Sequence, residues 1–486
     1  HHSKNLVNWN LIARPLDQLR LLDMTGNVDS GGIWAPCLSY SDGLFYLIYT
    51  NMRSWDDGPY KVCYNYLTTA SDIQGPWSDA VFLSGSGFDP SLFHDSDGRK
   101  WLLNQLWDHR PNNNQFAGIV LQEYCPESKS LIGPVKNIFK GTEIALVEGP
   151  HLYKRNGYYY LLTAEGGTEY NHAATLARSR TIEGPYELHP QNPILTTAGL
   201  PDIPLQKAGH ASMVQTPEGE WYLAHLCGRP IDGTHCILGR ETAIQKLRWR
   251  DDDWPELDHG GSTPAVRVPA PRGVVADLEP GISQTVKFDC RTLNIHFQAL
   301  RRPITDEWLS LTANPGRLRL YGQEMMVSKF KQSLLARRIQ AFKVVVETCL
   351  HFDPPGFQQM AGLIAYYNTQ NHYYLRVSRD EMAGKCLNII RCDAGDTTQV
   401  LEVEVPLPED GPVYLGLSLD VGDIQFRYST DGDNWKEVGP SLSSRILSDD
   451  YQTLGFTGAF AGICAQDATG MRFPADFEFF SYAELG

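Results

Sequence analysis

Phe88-Asp89-Pro90-Ser91-Leu92, followed by the turn Asp97-Gly98 and the apolar run Trp101-Leu102-Leu103, is the unit from which the chain can be read. The same plan recurs three more times. Trp34-Ala35-Pro36-Cys37-Leu38 precedes Ser41-Asp42-Gly43 and Phe45-Tyr46-Leu47. Glu148-Gly149-Pro150-His151-Leu152 precedes Asn156-Gly157 and Tyr158-Tyr159-Tyr160, and Gly209-His210-Ala211-Ser212-Met213 precedes Glu218-Gly219 and Trp221-Tyr222-Leu223. Each copy reads as an apolar strand, a turn with glycine where φ is positive, and a second strand. Copies spaced by about 60 residues indicate a repeat architecture. Small turns at Ser71 to Trp77, Ile132-Gly133-Pro134 and Ile182 to Tyr186 mark a further, outer strand. Four strands per repeat predict β-propeller blades, and the first strand of each lines a central axis.

That geometry predicts convergence. Residues at the start of each axial strand come from different blades and meet at one end of the axis, so Asp89, Glu148 and His210 are expected together. A lone Asp-Pro carboxylate is ordinarily a turn or cap residue. Here the repeats carry different polar residues where structural repeats would keep like ones, and that difference points to a site.

Composition narrows the function classes. A length of 486 residues implies at least two domains. A net charge of −15, without a basic cluster, argues against nucleic acid and anionic membrane surfaces. No apolar run is long enough for a membrane-spanning helix. The ten cysteines are scattered and none forms a Cys-x-x-Cys pair, so they read as buried thiols of a reducing compartment. His225, Cys227, His235 and Cys236 lie close together, but their spacing matches no standard zinc site. No Asn-x-Ser/Thr sequon is present, which favours the cytoplasm. Secretion stays open, since any leader would precede His1. A Pro-rich connector over 256–285 separates a propeller domain, 1–255, from a second domain, 286–486. In the latter, alternating runs such as Phe342 to Glu347 and Tyr373 to Val377 read as strands of a β-sandwich. Asp431-Gly432-Asp433 before Trp435 reads as a hairpin turn, and only Gln332 to Lys343 is compatible with a helix.

With these residues in view, the chain resembles the β-xylosidase and α-L-arabinofuranosidase group of family 43 glycoside hydrolases. The likeness is carried by Ser30 to Pro36, Gly87 to Asp95, Glu148 to Leu162, Gln206 to Ser212, Leu238 to Gln245 and Gly455 to Phe460. It implies an all-β fold, a five-bladed propeller with a concanavalin-like C-terminal β-sandwich, and an inverting exo-glycosidase. Xylose would be released from the non-reducing end of β-1,4-xylo-oligosaccharides, with α-L-arabinofuranosidase side activity. It further implies that Glu148 is the general acid and that Asp89 orients it and tunes its pKa. Trp34, Phe88, His210 and Arg240 would line the sugar pocket, and Phe460 would help close it. No cofactor is required, no metal is assigned, and a calcium ion near His210 is compatible with some relatives. Assembly as a homo-oligomer, dimer or tetramer, is also implied.

One departure matters. The family's general base is an Asp in a Pro-Asp-Pro-Ser motif of the first blade, and this sequence holds no such motif. His2 to Trp9 resembles the outer-strand marker Ser71 to Trp77, which would place the axial strands of the first blade roughly 30 to 35 residues upstream of His1. The expectation is an impaired chain. Two further readings stay open: an arabinofuranosidase or arabinanase on the same fold, and a non-catalytic sugar-binding propeller.

Overall fold

The computed structural model describes residues 1–56, 58–275, 281–289, 291–452 and 455–485. Contacts divide the chain into two units. The first is His1–Leu16, Arg20–Arg229 and Arg240–Asp277; the second is Asp17–Leu19, Pro230–Gly239 and Leu278–Gly486.

The first unit is built of four antiparallel meanders. The first comprises β1 (Gly32–Ser41), β2 (Leu44–Ser54), β3 (Val62–Ala70) and β4 (Val81–Ser84). The second comprises β5 (Ser91–His94), β6 (Lys100–Trp107), β7 (Phe116–Cys125) and β8 (Ser130–Phe139). The third comprises β9 (Glu148–Arg155), β10 (Tyr158–Glu165), β11 (Ala173–Ser179) and β12 (Glu187–Leu188), with β13 (Leu195–Thr196) also beside β11. The fourth comprises β14 (Gln206–Gln215), β15 (Trp221–Gly228), β16 (Glu241–Trp249) and β17 (Pro255–Leu257). First strands pack in succession, β1 on β5, β5 on β9 and β9 on β14, as the blades of a propeller do.

The turns explain the register. Ser41 pairs with Leu44 around Asp42-Gly43, and Arg155 pairs with Tyr158 around Asn156-Gly157. All four turn residues have positive φ, the type I′ geometry whose twist suits a two-residue hairpin. Blades are pinned to one another by polar contacts. The Ser91 hydroxyl donates to the Pro150 carbonyl at 2.5 Å. Asp95 accepts from Lys154 Nζ at 2.6 Å and from the Tyr159 hydroxyl at 2.7 Å. The Met213 N–H donates to the Tyr153 phenol oxygen at 2.7 Å.

The first blade differs on its two faces. Tyr46, Ile48 and Leu67 are buried against Leu92, Leu102 and Tyr124 of the second blade. The opposite face buries Leu47 and Tyr49 under Leu21 and Leu22, yet Leu38, Tyr40, Tyr64 and Phe82 on it are exposed. Residues 2–9 form a bend closed by a single bridge between His2 and Asn10, and the Asn5 side chain accepts from the Val7 and Asn8 N–H groups. The Ser71 to Trp77 segment is likewise a turn, so the two are alike in being bends rather than strands.

The second unit is a pair of antiparallel sheets of eight strands each. One runs through Lys343–His351, Pro474–Glu484, Val413–Asp420 and Asp423–Ser429; the other runs through Ser333–Arg338, Phe460–Asp467, Gln359–Tyr366 and His372–Asp380. Trp308, Phe426, Phe477, Leu363, Leu375 and Ile463 fill one shared core, each at most 1% exposed. This is the packed sandwich that the alternating runs predict. The predicted turn at Asp431-Gly432-Asp433 forms, with the Asp431 carboxylate accepting from the Asp433 and Asn434 N–H groups.

The helical expectation for Gln332 to Lys343 is wrong. Ser333–Arg338 is a strand paired with Phe460–Asp467, and Lys343 opens the next strand. Burial on both faces removes the alternation that marks a strand, so the run looks helical from composition alone. The helical element among the described residues is one 3₁₀ turn, Ser444–Leu447, and no helix is long and apolar enough to cross a membrane. The described cysteines are all free, and Cys290 lies outside the described residues.

Candidate functional site

Each axial strand of the first unit has the same backbone corner in or just before its first half. Ala35, Asp89, Gly149 and His210 have φ of 39°, 55°, 56° and 43° respectively. Left-handed backbone is unfavourable for residues other than glycine, by roughly 1–2 kcal/mol, and in folded proteins it gathers at functional sites. The corner agrees with the alignment of the repeats and shows that the three polar residues do not share one blade position. Asp89 and His210 are equivalent, but Glu148 lies one residue before its corner, in register with Trp34, Phe88 and Gly209. Two successive positions per blade therefore bear on the site.

The two glycines in this frame are required by close approach. A Cβ on Gly149 would lie 2.8 Å from Nε2 of His210, and a Cβ on Gly209 would lie 2.4 Å from the His172 ring. The His210 and His172 imidazoles thus rest directly on backbone, where any side chain at Gly149 or Gly209 would displace them.

Carboxyl oxygens of Asp89 and Glu148 and a ring nitrogen of His210 all lie within 4.8 Å of one another. Asp89 is 6% exposed and Glu148 5%, so both carboxyls are largely out of water. The Asp89 Oδ2 accepts from the Gly149 N–H at 3.1 Å and stands 3.9 Å from His210 Nδ1. Burial raises the pKa of Asp89, while the positive charge of Arg240 and the Gly149 N–H oppose that rise. Glu148 is raised well above the ordinary range, by burial first and by the charge of Asp89 second. Arg240 opposes the rise of Glu148 as well, so the difference lies in the Gly149 N–H that Asp89 accepts: Asp89 is raised to about 7, and Glu148 is the favoured holder of the proton. His210 is pushed down to about 4 by burial and by Arg240, so it is a neutral imidazole at neutral pH. His151 and His172 are depressed to about 3, chiefly by burial.

Among the described residues of this unit, the same trio is also the group that could hold a cation. Calcium takes six to eight oxygen ligands. Two carboxylates, an imidazole and the neighbouring charge of Arg240 suit a proton better than that ion.

Trp34 and Phe88 stand beside the trio in sequence and meet edge to face, 5.5 Å between ring centroids. They belong to a larger aromatic wall that the sequence did not signal. Trp55 meets Trp34 at 5.5 Å, and Trp107 and Phe116 flank Phe88 at 5.8 and 6.1 Å. Lys61 Nζ lies 4.7 Å from the Trp107 ring centroid. Phe88 is itself buried, whereas Trp34 is half-buried and donates from Nε1 to the Ser30 carbonyl at 2.8 Å. His172 was also missed. Its Nδ1 lies 3.0 Å from the Lys207 carbonyl, and its buried Nε2 has no hydrogen-bond partner. Phe460 belongs to the second unit, where it opens the strand Phe460–Asp467 under the guanidinium of Arg338, 5.8 Å away.

Comparison with known proteins follows the same division. The profile of glycosyl hydrolases family 43 matches residues 1–255, and that of the beta-xylosidase C-terminal concanavalin A-like domain matches residues 285–483. A beta-xylosidase of Bacillus subtilis (strain 168) is 50% identical over 100% of this chain and 92% of its own length. A xylosidase/arabinosidase 43B of Humicola insolens is 48% identical over 99% of this chain and 90% of its own. The crystal structure of xylan beta-1,4-xylosidase from Bacillus halodurans C-125 superposes with a TM-score of 0.97 at 51% identity, covering 100% of this chain and 93% of that one.

Proposed function

Because the chain belongs to glycosyl hydrolase family 43, we propose that it is an inverting, exo-acting β-xylosidase. It releases xylose from the non-reducing end of β-1,4-xylo-oligosaccharides and accepts α-L-arabinofuranosides as secondary substrates. The observation that carries this reading is the unequal carboxyl pair. Glu148 is buried and raised well above the ordinary range, and Asp89 beside it, raised to about 7, is favoured as the anion by the Gly149 N–H. A protonated carboxyl is what a glycosidic oxygen needs as it leaves, and a neighbouring anion delays loss of that proton until it is used. Arg240 then offsets the charge of Asp89, and Trp34 offers an apolar face to a sugar ring. The secondary activity is favoured by the Humicola relative, named for both xylosidase and arabinosidase.

Inversion needs a second, ionised carboxylate about 6.5–9.5 Å from the acid, with a water between. We place that base on a fifth blade preceding β1. The exposed apolar face of the first blade, with Leu38, Tyr40, Tyr64 and Phe82, supports this, since such a patch on one side of a sheet calls for a covering layer.

The test uses xylobiose and 4-nitrophenyl β-D-xyloside, with this chain and with a version extended upstream through the further blade. The extended protein should be faster by on the order of 10²- to 10⁴-fold, the usual worth of a positioned base, and NMR should show α-xylose as the first product. Glu148→Gln should slow xylobiose much more than the aryl xyloside, whose leaving group needs little protonation. Equal losses on the two substrates would remove Glu148 from the role of acid. Equal turnover by the two lengths would remove the base from the upstream segment.

A further inference from the structure

The second unit carries a cluster with no part in glycoside hydrolysis. Cys349 and His351 lie two residues apart on the strand Lys343–His351, on the face turned away from the sandwich core. Glu478 comes from the neighbouring strand Pro474–Glu484. Between Thr348 and Leu350 the pairing slips, from partner Phe480 to partner Phe477, so the bulge brings Glu478 opposite the cysteine. Cys349 Sγ is 3.8 Å from His351 Nε2 and 3.8 Å from Glu478 Oε2, and the last two atoms are 3.2 Å apart.

We propose that Cys349, His351 and Glu478 form a divalent-metal site that takes Zn²⁺, with water in the fourth position. The argument is geometric. Zinc binds thiolate at about 2.3 Å and imidazole or carboxylate at about 2.0–2.1 Å in tetrahedral order. Those radii place a sulfur about 3.5 Å from each of the other two donors, and nitrogen and oxygen about 3.3 Å apart. The observed triangle differs from that by a few tenths of an ångström, so the donors need little movement to close on an ion. The donor set of one sulfur, one nitrogen and one oxygen excludes calcium and magnesium and suits zinc. Access fits as well: the His351 side chain is 24% exposed and that of Glu478 52%, so the open position faces solvent while the thiol lies beneath.

A hydrogen-bonded His–Glu pair beside an inert thiol is the alternative. In that state burial and the charge of Glu478 push the thiol up to about 12, against Arg317 and a hydrogen bond with Tyr414. On binding, Cys349 gives its proton to bulk water and the thiolate forms the Zn–S bond. The ring proton that His351 directs from Nε2 to Glu478 moves to Nδ1, which frees the Nε2 lone pair for the metal, and Glu478 turns a carboxylate oxygen to the ion in place of that hydrogen bond.

The test loads the chelator-treated chain with Co²⁺ and, separately, Zn²⁺. One equivalent of Co²⁺ should give a thiolate-to-cobalt charge-transfer band with visible bands of a tetrahedral ion. X-ray absorption of the Zn²⁺ form should show one sulfur neighbour at about 2.3 Å. Cys349→Ser should abolish the charge-transfer band, and His351→Gln, at a partly exposed position, should weaken Zn²⁺ at least tenfold in a chromophoric-chelator competition. Binding at Asp89, Glu148 and His210 would produce no thiolate band. Absence of the band at one equivalent, its survival in Cys349→Ser, or equal Zn²⁺ affinity in wild type and both variants would overturn the proposal.

Discussion

Replacing Asp89 by Asn removes one negative charge from beside Glu148 and leaves a side-chain oxygen to accept the Gly149 N–H. The carboxyl oxygens of the pair are no more than 4.8 Å apart. Two unit charges at that distance, in an effective dielectric near 20, repel by about 3.5 kcal/mol. That repulsion falls on the ionised form of Glu148, so its removal shifts the Glu148 pKa. The sign is downward, because the anion that opposed ionisation is gone. The value should still stay above the ordinary glutamate range, since burial, the larger cause, is untouched. Carbon-13 NMR of the glutamate carboxyls, with Glu148 identified by its loss in Glu148→Gln, reads this without turnover. In active protein the alkaline limb of kcat/KM should move to lower pH by the same amount. A Glu148 midpoint that stays put or rises in Asp89→Asn would refute the claim that Asp89 holds the proton on its neighbour.

Other perturbations reach different parts of the unit. Gly149→Ala places a methyl 2.8 Å from the His210 ring at φ 56°; we expect about 1–2 kcal/mol of lost stability in urea titration and a fall in kcat/KM that Gly209→Ala shares. Asp95→Ala frees Lys154 and the Tyr159 hydroxyl and should lower stability by about 1–3 kcal/mol, read in the same titration, with little change in KM. Stability should also fall on acidification. His151, His172 and His210 have folded pKa values below the free value of 6.5, so their contribution is present above pH 6.5 and is lost as pH drops toward 4 and 3; His172→Gln should flatten that slope. Glu148 and Asp89 work oppositely, their raised values giving stability that is full below the unfolded carboxyl range and lost as pH rises through the folded pKa.

The parts of this structure that are local in sequence were legible there. Asp42-Gly43 and Asn156-Gly157 fix hairpins within a few residues, and repetition of the hairpin reveals the blades. The meeting of Asp89, Glu148 and His210 followed from that repetition. What was not legible depends on distant partners. Trp55 and Trp107 sit at strand ends with no motif around them and become a wall only when Trp34 and Phe88 lie between them. The aligned repeats already set Glu148 one residue before Asp89, but that the second of the two positions is a left-handed corner shows only in the backbone angles. Gln332 to Lys343 misled because burial on both sides erases period two. Cys349 and His351 became a cluster only through Glu478, 127 residues away, across a bulge that composition does not record.

The repeated left-handed corner separates scaffold from chemistry. Each blade offers the same bend, and what differs is the single residue mounted there: an acid at Asp89, an imidazole at His210, bare backbone at Gly149 and a methyl at Ala35. The first two occupants carry polar groups that glycine would forfeit, so relaxing their backbone would be self-defeating. Ala35 bears nothing reactive. It is the one mounting where an engineer seeking heat resistance could ease the chain into a comfortable conformation and leave the reactive groups in place.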